Sequence, residues 1–219
     1  MNKIIVPALI PYTATDIETF VGSIGDVPEI HIDMVDIAFA TLCSWPTDTS
    51  ALRQELFTLL APYTLEVDLM VADPVPWAVT WEKLGADMVV FHVESISVDD
   101  LRSFISYTKM SVGISANNDT SFMTLLPYLS LVDYVQVMGI AKIGQQGQSF
   151  DKTALLRITE IHTMFPHLPI SIDGSMNEST IPQVLSLPVE RIIVGSAIQK
   201  SNAPQTAYTT LQKLASSTR

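Results

Sequence analysis

The chain is short of cysteine, of glycine, of positive charge and of long apolar runs, and each shortage narrows what it can be. Cys43 is the only cysteine, so no disulfide can form within the chain and nothing argues for an oxidising compartment. The cytoplasm is therefore the expected location. Lys and Arg number 12 against 23 Asp and Glu, a formal charge of −11, and the basic residues are scattered. That leaves no electrostatic footprint for nucleic acid or for an anionic membrane surface. Mean hydropathy is high at +0.31, yet no apolar run reaches the roughly 18 to 20 residues that a membrane helix needs. The N-terminus, Met1 to Pro11, has one Lys, an apolar patch broken by Pro7 and Pro11, and no targeting pattern. What is left is a soluble protein with a generous core, 47% hydrophobic over 219 residues, read as one domain over 1–219. The sequence leaves assembly into a homo-oligomer open.

What the chain does have is alternation. Strand-length apolar runs at Lys3 to Leu9, Glu29 to Val35, Leu65 to Val71, Asp87 to Val93, Val112 to Ser115, Tyr134 to Met138, Ile170 to Asp173 and Arg191 to Val194 are separated by amphipathic segments. Thr15 with Glu18, and Ser97 with Asp100, read as capping boxes that open two of the helices. A helix is expected over Glu178 to Leu185, and a closing one over Ala203 to Ala215. The strands are nearly continuous in β-formers, the pattern of parallel strands buried on both faces. Eight strand-helix units at this length close most simply into an α/β fold of the (β/α)₈ TIM barrel type, with an open doubly wound sheet as the alternative.

Polar groups interrupt this pattern where barrel enzymes keep their chemistry, at the C-terminal ends of strands. His31 and Asp33 stand two apart on the second strand and so share a face, with Ile30 and Ile32 on the other. Asp68 follows on the third strand, where Glu66, Asp68 and Met70 point inward. His92 ends the fourth strand, Asn117 follows the fifth, and Asp173 ends the seventh. Buried carboxylates are expensive unless paired or metal-bound. As a converging set, His31, Asp33, Asp68 and Asp173 form a candidate divalent-metal site of one nitrogen and three oxygen donors.

The scarce glycines are grouped. Of nine, Gly139, Gly144, Gly147, Gly174 and Gly195 follow the sixth, seventh and eighth strands, where a barrel builds a phosphate grip from loops and backbone amides. Ser175 and Ser196 each follow a glycine directly and offer hydroxyls. Met70 and Met138 end inward positions, a soft apolar lining that keeps water from a carbanion.

Taken in order, His31-Ile-Asp-Met-Val-Asp36, Val67-Asp-Leu-Met-Val-Ala-Asp-Pro74, Val90-Phe-His-Val-Glu94, Asn117 with Thr120, Val132 to Met138, Gly147-Gln-Ser-Phe150, Ile172-Asp-Gly-Ser175 and Val194-Gly-Ser-Ala-Ile198 resemble the ribulose-phosphate 3-epimerase family over nearly the whole chain. The resemblance implies the (β/α)₈ barrel, Asp33 and Asp173 as the acid/base pair, and His31, Asp33 and Asp173 as metal ligands. It implies a divalent cofactor (Zn, Fe, Mn or Co), and a sugar phosphate whose phosphate rests on Gly147, Gly174, Ser175, Gly195 and Ser196 beneath a cap of Met70 and Met138. The chain departs from the family at several points. Asp68 stands where the family has a histidine ligand, Met34 is one residue out of register, Ile37 replaces a glycine, Ala8 and Pro11 replace serines, and the loop through Lys142 is one residue longer. Lys142 is read as a solvated loop residue. Three carboxylates and one histidine favour harder ions. The rival readings are a phosphate-binding barrel with lost or altered turnover, acting as a binding or regulatory protein, and an aldol or decarboxylation enzyme. The last would ask for a strand-end lysine, which the chain lacks.

Overall fold

A computed structural model gives the fold, describing residues 3–40, 42–52, 54–143 and 147–217. Gly144, one of the grouped glycines, lies outside the described residues. Eight strands form a closed parallel barrel in sequential order. They are β1 (Ile4–Leu9), β2 (Glu29–Val35), β3 (Thr64–Met70), β4 (Met88–His92), β5 (Ser111–Ser115), β6 (Tyr134–Met138), β7 (Ile170–Asp173) and β8 (Arg191–Val194). The helices between and after them are α1 (Ala14–Ile24), α2 (Gln54–Leu60), α3 (Pro74–Lys83), α4 (Val98–Ile105), α5 (Phe122–Leu129), α6 (Thr153–Met164), α7 (Ile181–Val184), α8 (Ser196–Gln199) and α9 (Pro204–Ser216). The fold is the expected (β/α)₈ barrel.

Strand alternation divides the apolar residues into two layers. Ile30, Ile32, Val67, Leu69, Val89, Phe91, Val135, Val137 and Ile192 belong to one large cluster shared with helix residues such as Ile17, Trp81, Leu101 and Ile158. This is the core between barrel and helices, and each fully buried Ile or Val there contributes about 1.5–3 kcal/mol. Within the barrel, apolar filling is sparse. Val6, Ala8 and Ile193 form a small cluster of their own, and much of the remaining interior is polar. Barrels usually fill this space with branched aliphatic side chains, so its polarity here needs a reason.

Local boundaries differ from the sequence reading in three places. The first capping box uses Thr13 with Asp16 rather than Thr15 with Glu18. Asp16 Oδ2 accepts from the backbone amides of Tyr12 and Thr13 at 2.8 Å each, which ties the loop to the helix two residues earlier. The helix expected over Glu178 to Leu185 shrinks to the single turn α7. Asn177 Oδ1 accepts from Ser179 N at 2.9 Å, and Asn177 N donates to Thr180 Oγ1 at 2.9 Å, so an Asx turn takes the backbone before a helix can. The short α8 after β8 was not expected from the sequence. No helix among the described residues is long and apolar enough to cross a membrane.

Candidate active site

Strand register places the polar groups in tiers. His31 pairs with Glu66, Asp33 with Asp68 and Val35 with Met70 across β2 and β3. Asp68 pairs with Val90, and His92 with Ser115 one step further on. Gln136 pairs with Ser171 and Met138 with Asp173. Parallel register turns paired residues to the same face, so these side chains converge within the barrel.

The lower tier is an ion-paired column. Arg191 donates from Nη1 to Glu66 Oε1 at 2.7 Å and from Nη2 to Glu66 Oε2 at 3.0 Å, and its Nε donates to Glu29 Oε2 at 3.0 Å. Glu66 Oε2 also faces His31 Nδ1 at 2.6 Å, and His31 Nε2 faces Asp33 Oδ1 at 3.1 Å. Burial pushes the Glu66 carboxyl up, but the guanidinium of Arg191, followed by His31, outweighs it and holds the group well below the usual carboxylate range. Burial pushes His31 down, while its bonds to Asp33 and Glu66 raise it well above an ordinary imidazole.

Beside this column, Asp68 accepts from His92 Nε2 at 2.8 Å on Oδ1 and from Gln136 Nε2 at 2.7 Å on Oδ2. Phe39, in the loop after β2, packs edge-on to His92 with centroids 5.2 Å apart. Arg191 and Gln136 did not stand out in the sequence. Their only signal was a polar side chain at an inward register position in an otherwise apolar strand.

Above these tiers a cavity of about 210 Å³ opens. Asp33 and Asp173 both line it, as do Met70 and Met138, and so do all five residues expected to hold phosphate, Gly147, Gly174, Ser175, Gly195 and Ser196. His31 and Asp68 are wholly buried beneath it. Burial, then repulsion from Asp33, raises Asp173 well above the ordinary aspartate value, and burial raises Asp33 as well. The two carboxyls of the mouth therefore resist ionising together.

The backbone after β7 is shaped for close approach. Gly174 has φ 107° and Ser175 φ 56°, left-handed conformations that turn successive amides toward one region. The Ser175 hydroxyl donates to the Gln148 carbonyl, so its proton is engaged. A Cβ at Gly139 would collide with the Gly174 carbonyl, which is how β6 and β7 ends come close enough to share a wall. Lys142 is exposed and does not line the cavity. Ile10, Val35, Met70, Met138, Ile140 and Ile143 form an apolar collar, with Phe39, Ala40 and Leu42 packed on it.

His31, Asp33 and Asp68 offer ligand atoms that all lie within 4.8 Å of one another, a group able to hold a metal ion. Asp173 is not part of that group. The donor chemistry fits a divalent cation. One imidazole and two carboxyls gathered this closely are a usual donor set for such an ion. His31 also has one nitrogen committed to Glu66 and the other turned to the cluster, as metal-bound histidines do.

The chain as a whole is similar to known proteins. The model of the ribulose-phosphate 3 epimerase family matches residues 4–199. The chain belongs to that family. The ribulose-phosphate 3-epimerase of Mycobacterium leprae is 24% identical over 228 residues, covering 98% of this chain and 96% of the relative. That of a Synechocystis species is 28% identical over 186 residues, 81% and 77% of the two chains. Among solved structures, KGPDC from Streptococcus mutans superposes with a TM-score of 0.75 at 15% identity, over 98% of both chains. The 3-hexulose-6-phosphate synthase of Salmonella typhimurium gives 0.71 at 16% identity, over 97% of this chain and 98% of that one. At such identities the superpositions establish the barrel. The ribulose-phosphate 3 epimerase family assignment rests on the sequence match.

Proposed function

We propose that this chain is a metal-dependent epimerase of a ketose phosphate, ribulose 5-phosphate or a near relative, working through two carboxyls. The observation that carries the reading is that Asp33 and Asp173, on strands β2 and β7, line one cavity together with the glycine-serine backbone of Gly174, Ser175, Gly195 and Ser196. Inverting a carbon beside a ketone needs a base on one face and an acid on the other. Asp33 serves as one and Asp173 as the other. Two carboxyls of one cavity that resist double ionisation supply one anion and one acid at neutral pH.

The backbone amides at Gly174, Ser175 and Ser196 take the phosphate, since no Lys or Arg among the described residues lines the cavity, and anchoring that end holds the reacting carbon in register. Met70 and Met138 lie against the mouth with the apolar collar and keep out water that would quench the carbanion. A divalent ion held by His31, Asp33 and Asp68, with Asp173 facing it from β7, would supply positive charge against the enediolate oxygens. The curated relatives include a cytoplasmic isoform from Oryza sativa, 27% identical over 154 residues, and the proposed site of action is likewise the cytoplasm.

The test is turnover of ribulose 5-phosphate to its C3 epimer, before and after chelation and after re-addition of Zn²⁺, Mn²⁺, Fe²⁺ or Co²⁺. Metal-restored turnover supports the reading. A purified protein that binds the sugar phosphate but never turns it over favours the rival, a phosphate-binding barrel that has lost catalysis.

A further inference from the structure

His31 is the one nitrogen donor in the candidate metal group, and a histidine can hold a cation only through a ring nitrogen that carries no proton. Which nitrogen is bare is set by what the other one meets. Here Nδ1 meets Glu66 Oε2 at 2.6 Å, while Nε2 is directed at Asp33 Oδ1 3.1 Å away. Glu66 is wholly buried and cannot turn, because Arg191 grips both of its oxygens at 2.7 and 3.0 Å. Arg191 is in turn held by Glu29 at 3.0 Å. Glu66 does not line the cavity, so it is out of reach of a substrate there.

We propose that Glu66, locked by Arg191, is a positioning residue: it keeps the His31 proton on Nδ1 and leaves Nε2 as the electron-pair donor toward Asp33 and Asp68. This inference rests on the metal reading of the site. It also gives the polar column inside the barrel its purpose, since an aliphatic filling beneath His31 could orient neither nitrogen. Arg191 does for Glu66 what Glu66 does for His31. Without the guanidinium the carboxylate is free to rotate away or to pick up a proton, and the constraint on the ring is gone.

The experiment measures Co²⁺ and Zn²⁺ affinity by calorimetry and the visible spectrum of the Co²⁺ form, together with ¹⁵N shifts of the His31 ring in the Zn²⁺-loaded protein. In Glu66→Gln a single neutral amide oxygen replaces two carboxylate oxygens, and the Arg191 donors compete with Nδ1–H for it. The charge that fixed the ring proton on Nδ1 is gone, so Nε2 is no longer kept bare for the cation. The expected result is a tenfold to hundredfold loss of Co²⁺ affinity with cooperative unfolding retained. Adding Arg191→Met frees the Gln oxygen to accept from Nδ1–H, so the double variant should recover most of that loss, whereas general structural damage would deepen it.

Unchanged affinity in Glu66→Gln, or a double variant no better than the single one, overturns the inference. If Glu66→Gln does not fold, the wild-type ring shifts decide: metal on Nε2 with a proton on Nδ1 supports the inference, and metal on Nδ1 overturns it. A wild-type protein that binds neither ion removes both the metal reading and this inference. Wild-type binding with an indifferent Glu66→Gln removes this inference alone.

Discussion

Replacing Arg191 by Met puts the polar interior to a quantitative test of stability. Arg191 is 12% exposed at its side chain and Glu66 is at 0%, so the pair lies out of water and its loss cannot be repaired by solvent. Removing one partner of a buried ion pair costs about 3–5 kcal/mol, because the survivor is left charged and uncompensated. Glu66 keeps its contact with His31 at 2.6 Å, which places the expected cost near the lower bound, about 3 kcal/mol. For a domain of this size each kcal/mol lowers Tm by about 2–4 °C, so the drop should be about 6–12 °C. The assay is urea and thermal unfolding of chelated protein.

The pH dependence of that deficit carries a sign. Glu66 is held below its unfolded value of 4.5, so its contribution is present above about pH 4.5 and is lost as the pH falls further. The gap between wild type and Arg191→Met should therefore narrow on acidification below about pH 4.5. Replacing both partners with methionine removes the stranded Glu66 charge and should recover part of the loss, the remainder reflecting His31 Nδ1 and Glu29, which each lose a partner. A single-variant cost under 1 kcal/mol, or a double variant less stable than the single, would refute the claim that this pair is a buried, mutually dependent unit.

Three further outcomes follow from the site. Asp173→Asn should lower turnover by about 10²–10⁴, the usual contribution of a positioned acid or base, with Tm unchanged or higher because a carboxyl repelled by Asp33 gives way to a neutral amide; activity near wild type removes Asp173 from the mechanism. Asp68→Asn should fold normally, since Gln136 can flip its amide and bring round an oxygen that has no partner among the described residues. It should still bind Zn²⁺ at least tenfold more weakly by calorimetry, at the low end for loss of a metal contact, and unchanged affinity would show that Asp68 is not a ligand. Chelated wild-type protein should be most stable near pH 4.5, where Glu66 is fully ionised, and lose stability from there toward pH 9 in a Tm series. His31 is raised above 6.5, so its stabilisation is lost as the pH rises through its folded value, while Asp33 and Asp173, raised above 3.8, resist ionising in the fold. Each tenfold change in proton affinity is about 1.4 kcal/mol. Saturating Zn²⁺ should flatten the decline, and a flat profile without metal would contradict the burial of these groups.

Much of the fold was legible because parallel strands covered on both faces must be apolar nearly throughout, and runs such as Ile170 to Asp173 have few other uses. Helix starts were less legible. Thr13 and Thr15 are equally good caps by type, and Asp16 decides between them only through the amides of Tyr12 and Thr13. At the site, the period of two placed His31 and Asp33 on one face, and the grouping of glycines marked the loops that now wall the cavity. Arg191 escaped because a charge at the first residue of a strand reads as a solvated edge. Its partner Glu66 lies 125 residues away, and only the closing of β8 onto β1 brings the two together. Gln136 escaped for a similar reason. A single amide within Val-Gln-Val has no local signature, and its role depends on reaching across the barrel to Asp68.

The most direct measurement is deuterium incorporation at C3 when metal-loaded protein acts on ribulose 5-phosphate in D₂O, followed by NMR of substrate and product. The account predicts appearance of the C3 epimer with deuterium at that carbon, both abolished by chelation and by Asp173→Asn. Protein that carries its metal and binds the sugar phosphate, yet leaves the C3 proton in place with no epimer formed, would contradict it.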